Sequence, residues 1–178
     1  MKMTKLEQAA KDQVSSILNK QGYPTYSRLL DMLDVKLIDT EKEPDAIAYL
    51  DVNNATIYLN PNLSINQVST IVRHEILHEY LTHAARADQF KKDKPQYKNI
   101  PFDLINIAAD YEISNKGYTD ADKRIARGII IKDKVLKGLV TEDDHPDWIN
   151  LSFEEMLEEL SKDQDRYAHN LQQIMRDL

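Results

Sequence analysis

The stretch IVRHEILHEY, Ile71–Tyr80, decides how this chain is read. It holds His74, Glu75 and His78 in the order H-E-x-x-H. On a helix, residues four apart project from the same side about one turn apart, so both imidazoles can reach one ion. The glutamate between them then stands beside a water on that ion and can accept its proton. The reading depends on the segment being helical. Ser64-Ile65-Asn66-Gln67 has the form of a capping box, and apolar residues recur at helical spacing behind it. The pattern predicts a helix from Ile65 to about Arg86.

Working outward, residues 4–20 read as a helix through Leu6, Ala9, Ala10, Val14, Ile17 and Leu18, closed by Gly22. A shorter helix is expected over Ser27 to Leu33. VKLID (35–39), AIAYLD (46–51) and ATIYLN (55–60) read as strands, the last two joined as a hairpin. Residues 87–100 are polar and lysine-rich and read as a loop. Pro101 suits the start of a helix carrying FDLINIAADYEIS, which Gly117 can close. DADKRIAR adds a helical turn or two, and GIII is a short strand or buried coil. TEDDHPDW is a turn rather than a metal site. Ser152 to Glu155 form a second capping box opening FEEMLEEL, and a separate last helix covers Gln164 to Met175, with His169 on its surface. The simplest account is one helix-rich α+β domain with a small sheet of about three strands. It spans residues 1–178, its core is about 25–160, and the terminal helices pack on that core.

Composition narrows the function. The chain has 178 residues, 42% hydrophobic and 30% charged, which fits a folded globular protein. It has no cysteine, so His, Asp and Glu are the strong metal ligands left to it. The net charge of −7 argues against nucleic acid as a partner. No apolar run approaches the ~18 residues of a membrane span, so no membrane partner is expected and the cytoplasm is the expected location.

A catalytic zinc site takes three protein ligands, so a third is needed beside His74 and His78. His83 falls on the other side of an extended helix and reads as a surface or partly packed residue. Asp103, Asn106 and Asp110 form one polar stripe on the next helix, with Ile105, Ala108, Ala109 and Glu112 largely around the other side. Asp110 is placed as the third ligand and Asn106 as a hydrogen-bonding partner that orients a histidine. Glu112 is the alternative ligand, since it and Asp110 point in nearly opposite directions.

The order ATIYLNP, HEILH, NIAADYEISN, SFEEMLEEL resembles a family of phage and bacterial metallopeptidases often found beside von Willebrand-type domains. The resemblance lies in Tyr58 to Pro61, His74 to His78, Asn106 to Asn115 and Ser152 to Leu160, and covers most of residues 46–160. It implies a zincin-like fold in which two motif helices form the metal site and an edge strand lies above the cleft. It also favours Asp110 as ligand and is compatible with a phage origin. The implied activity is peptide-bond hydrolysis with Zn²⁺ held by His74, His78 and Asp110 and with Glu75 as the catalytic base. The strand from Ala55 to Leu59 is expected to pair with an extended peptide substrate. Tyr80, Tyr111 and Tyr118 are candidates to stabilise the oxyanion. Arg73 and Glu79 flank the motif where zincin peptidases usually carry uncharged residues. That charge keeps a rival open, a zincin-fold protein that has lost the metal or uses it structurally and contacts a host protein.

Overall fold

A computed structural model describes residues 2–131, 134–135 and 140–176, with side chains described for 2–129 and 140–164. In chain order the elements are α1 (Lys5–Lys20), α2 (Pro24–Asp31), β1 (Asp34–Leu37), β2 (Ala48–Asp51), β3 (Thr56–Leu59), α3 (Ile65–Tyr80), α4 (His83–Asp93), α5 (Phe102–Gly117), α6 (Asp120–Arg127), β4 (Ile130–Ile131), β5 (Lys134–Val135), α7 (Thr141–Asp144) and α8 (Phe153–Arg176). The fold is helix-rich α+β. Two compact units divide it: Met1–Tyr80 with Tyr118–Lys137, and Leu81–Gly117 with Gly138–Leu178. Among the described residues, no helix is long and apolar enough to cross a membrane.

In the first unit, β1 runs parallel and β2 antiparallel to β3, giving the order β1-β3-β2. The registers Val35↔Ile57↔Leu50 and Leu37↔Leu59↔Ala48 put one apolar set on one face, and Lys36↔Tyr58↔Tyr49 falls on the other. Val35, Ile57 and Leu59 are buried in a cluster with Val14 and Leu18 of α1 and Val68, Val72 and Ile76 of α3. The Asn-Pro after β3 has a structural use. Asn60 is buried, its amide donates 2.8 Å to the Ala46 carbonyl, and its backbone N–H donates 2.8 Å to the Ile47 carbonyl, tying down the entry to β2. β3, expected to lie at the edge, is the central strand. Its hydrogen bonds are spent on both neighbours, so the edge strands of this sheet are β1 and β2.

α3 starts where its capping box predicts, with Gln67 N–H donating 3.3 Å to Ser64 Oγ and Ser64 N–H donating 2.9 Å to Gln67 Oε1. It is a core helix: every residue from Val68 to His74 is buried. It does not reach Arg86. The helix ends after Tyr80, and Thr82 adopts φ 54°, a left-handed conformation, before α4 begins.

In the second unit, the lysine-rich stretch read as a loop is helical to Asp93, followed by a 3₁₀ turn at Pro95–Tyr97. Ala87 and Phe90 supply the buried stripe. They are few enough among charged neighbours to disguise the helical period. They pack with Ile105, Ala108 and Ala109 of α5 and Phe153, Met156 and Leu157 of α8. The second capping box is present, Ser152 N–H donating 2.7 Å to Glu155 Oε2. The helix opening at FEEMLEEL and the separate last helix expected over Gln164 to Met175 are one continuous α8. No glycine or proline separates Leu160 from Gln164, and Ser161 Oγ donates 2.6 Å to the Leu157 carbonyl, keeping the turn closed. The reading of His169 lies outside the described side chains.

Candidate metal centre

α3 brings His74, Glu75 and His78 together. One ligand atom from each lies within 4.8 Å of the others. His74 is buried, while Glu75 and His78 are partly exposed. The two imidazoles meet edge to face at 79°, and their Nε2 atoms stand 3.1 Å apart. Two nitrogens on a tetrahedral ion at ~2.05 Å lie about 3.3 Å apart. The spacing of the two nitrogens therefore fits a shared cation, and two imidazoles beside a carboxylate suit a borderline divalent ion. His74 Nδ1 is 2.8 Å from the hydroxyl of the partly exposed Tyr118.

The charges flanking the motif have separate fates. Glu79 is exposed at the end of α3. Arg73 is buried, its guanidinium 4.1 Å from the Tyr23 ring centroid. Its Nη1 donates 3.2 Å to Asp122 Oδ2, and Nη2 pairs with Oδ1. Thr70 Oγ1 also donates to Asp122, at 3.2 Å. Asp122 in turn caps α6: its Oδ2 accepts the Thr119 N–H and hydroxyl, each at 3.0 Å. Burial pushes the Asp122 carboxyl up, but Arg73 and Thr119 outweigh it and hold it below its ordinary value. Arg73 is thus spent inside the fold. The sequence offered one sign of this, the T-x-x-D pattern at 119–122, which marks Asp122 as a capping residue.

On α5, Asp103 and Asn106 are exposed and Asp110 is half-buried, with the Asn106 amide 3.5 Å from Asp110 Oδ2. Ile105, Ala108 and Ala109 are buried, as the stripe argument requires. Glu112 is fully buried and saturated. Its Oε2 accepts from His83 Nε2 at 2.8 Å and Arg86 Nη1 at 2.7 Å, and its Oε1 from Lys116 Nζ at 2.6 Å and Arg86 Nη2 at 3.2 Å. Burial raises this carboxyl, yet the bonds from His83, Arg86 and Lys116 hold it far below the usual range. Four donors occupy its lone pairs, which leaves it no place for a metal ion. His83, read as surface or partly packed, is buried because it heads α4 and reaches Glu112. Tyr80 is exposed, and the Tyr111 hydroxyl donates 3.0 Å to Asp144 Oδ2, so each of the three tyrosines has its own setting.

A family model described as "Putative metallopeptidase domain" matches residues 33–175. The chain belongs to this family. The matched span runs from just before β1 to the end of α8 and holds the whole His-Glu-His cluster of α3. α1 and α2 precede it. No curated protein and no solved structure matches the chain. As a member of the metallopeptidase-domain family, it has a His-Glu-His group that can bind a metal ion.

Proposed function

We propose that the protein is a zinc-dependent peptidase. The observation that carries this reading is the convergence of the His74 and His78 Nε2 atoms, 3.1 Å apart, with the Glu75 carboxylate within 4.8 Å. His74 and His78 hold the ion, and Asp110 is the third protein ligand. Asp110 rests on the sequence argument, strengthened by the loss of Glu112 as its competitor. Zinc supplies Lewis acidity, which acidifies water near neutral pH and polarises a carbonyl. Glu75 accepts the proton of the attacking water and passes it to the leaving amine. An extended substrate pairs by main-chain hydrogen bonds with β2, one of the two edge strands beside β3 and the hairpin partner of β3.

The rival reading, a binding protein contacting a host partner, drew on the charges beside the motif. Arg73 no longer supports it, because its charge is consumed by Asp122. Metal analysis of protein prepared without added metal, with a peptide-library cleavage assay, tests the proposal. About one zinc per chain and Glu75-dependent cleavage are expected. Metal-free protein that stays folded and active in its host would overturn it.

A further inference from the structure

His74 has two ring nitrogens with different tasks. Nε2 faces His78, and Nδ1 faces the Tyr118 hydroxyl at 2.8 Å. A neutral imidazole carries one proton. If Nε2 is to bind an ion, that proton must sit on Nδ1, and Nδ1–H then needs an acceptor in its buried surroundings.

We infer that Tyr118 is a positioning residue for the metal centre: its hydroxyl oxygen accepts the His74 Nδ1 proton, and Arg73 and Asp122 fix the hydroxyl where it can do so. The inference rests on the metal reading of the site proposed above. Tyr118 stands immediately before Thr119, the residue that caps α6. Thr119 is locked to Asp122 by the reciprocal capping box. Asp122 is held to α3 by Arg73 and by Thr70. The connections form a closed ring: α3 through Arg73 to Asp122, to Thr119, to Tyr118, and back to α3 at His74. Arg73 and His74 are neighbours in sequence, so the anchor and the ligand it serves start from the same turn of helix.

The ring fixes the ligand in two ways. It removes rotational freedom from the His74 side chain before an ion arrives, and it selects the tautomer whose Nε2 lone pair is open. Hydrogen-bond partners behind a ligating histidine raise metal affinity by roughly 10–100-fold. Tyr118→Phe removes the oxygen and keeps the ring.

The test measures zinc affinity of the full-length wild type and Tyr118→Phe by competition with a chromophoric chelator. Thermal midpoints of both metal-free proteins are taken alongside. Long-range ¹⁵N–¹H spectra of the zinc-loaded proteins report the His74 Nδ1 proton. The expected result is a 10–100-fold weaker zinc affinity in the variant. A His74 Nδ1–H signal that is protected from exchange in the wild type should be lost or fast-exchanging in Tyr118→Phe. Unchanged affinity and an unchanged Nδ1 proton overturn the inference while leaving the metal site standing. A lower thermal midpoint with unchanged affinity also overturns it, since that describes structural packing alone. A wild type that takes up no zinc overturns the site reading and this inference with it.

Discussion

His74 and His78 bring their Nε2 atoms to within 3.1 Å of each other, one turn apart on α3. Replacing both with alanine should take zinc from about one per chain to none, read by elemental mass spectrometry. His74 is buried, so the variant loses some stability as well. A circular-dichroism spectrum like that of the wild type is the control. Retention of stoichiometric zinc would place the metal elsewhere.

Glu75→Gln keeps the shape of the side chain and removes its basicity. Zinc content should stay at the wild-type level. Peptide cleavage should fall by at least 10²-fold in kcat/KM, the usual weight of a general base. Full activity in this variant would count for the host-binding reading.

Asp110 and Glu112 are distinguished by opposite signatures. Asp110→Ala should weaken zinc binding and leave the thermal midpoint of metal-free protein nearly unchanged. Glu112→Gln should leave zinc in place and destabilise the fold by about 3–5 kcal/mol, because His83, Arg86 and Lys116 lose their anion. The reverse pattern would make Glu112 the ligand.

Asp122 ties stability to acid pH. It faces Arg73, Thr70 and Thr119, and its carboxyl is held below the ordinary 3.8. A lowered folded-state pKa gives stability that is present in full above 3.8 and is lost as pH falls through the folded value. At pH 6, Asp122→Asn should be less stable than wild type by about 3 kcal/mol, as for a broken buried ion pair. The gap should start to narrow near pH 3.8 and close only as pH falls through the lower folded-state value. Urea unfolding at several pH values measures it, and a constant gap would mean that Asp122 does not titrate with folding.

Thr82 holds φ 54° between α3 and α4, a conformation that β-branched residues resist. Asparagine tolerates it better. Thr82→Asn should raise the thermal midpoint, with a gain on the order of 1 kcal/mol from relieved strain. A lower midpoint would show that the threonine methyl or hydroxyl contributes more than the strain costs.

Local patterns were legible wherever one short-range interaction fixed them. The Ser64 and Ser152 capping boxes start α3 and α8 where the letters say, because cap and N3 residue are near neighbours. The cluster of His74, Glu75 and His78 followed from helical spacing alone. The end of α3 was not legible, because nothing in Leu81 or Thr82 announces a left-handed residue. α4 was hidden because its buried stripe is narrow and its helix is completed by packing against α5 and α8 in the second unit.

The sequence by itself determined the α+β class, the motif helix and the grouping of His74, Glu75 and His78 on it. Those depend on periodicity and on contacts a few residues apart. The tertiary structure decided what each charge is for. Arg73 and Asp122 stand 49 positions apart, and His83 and Glu112 stand 29 apart. A charged side chain keeps its place in a buried setting by finding an opposite charge there, and such pairs leave no periodic trace in the chain. That is why Arg73, whose charge beside His74 kept the host-binding reading open, is paired with Asp122 inside the fold.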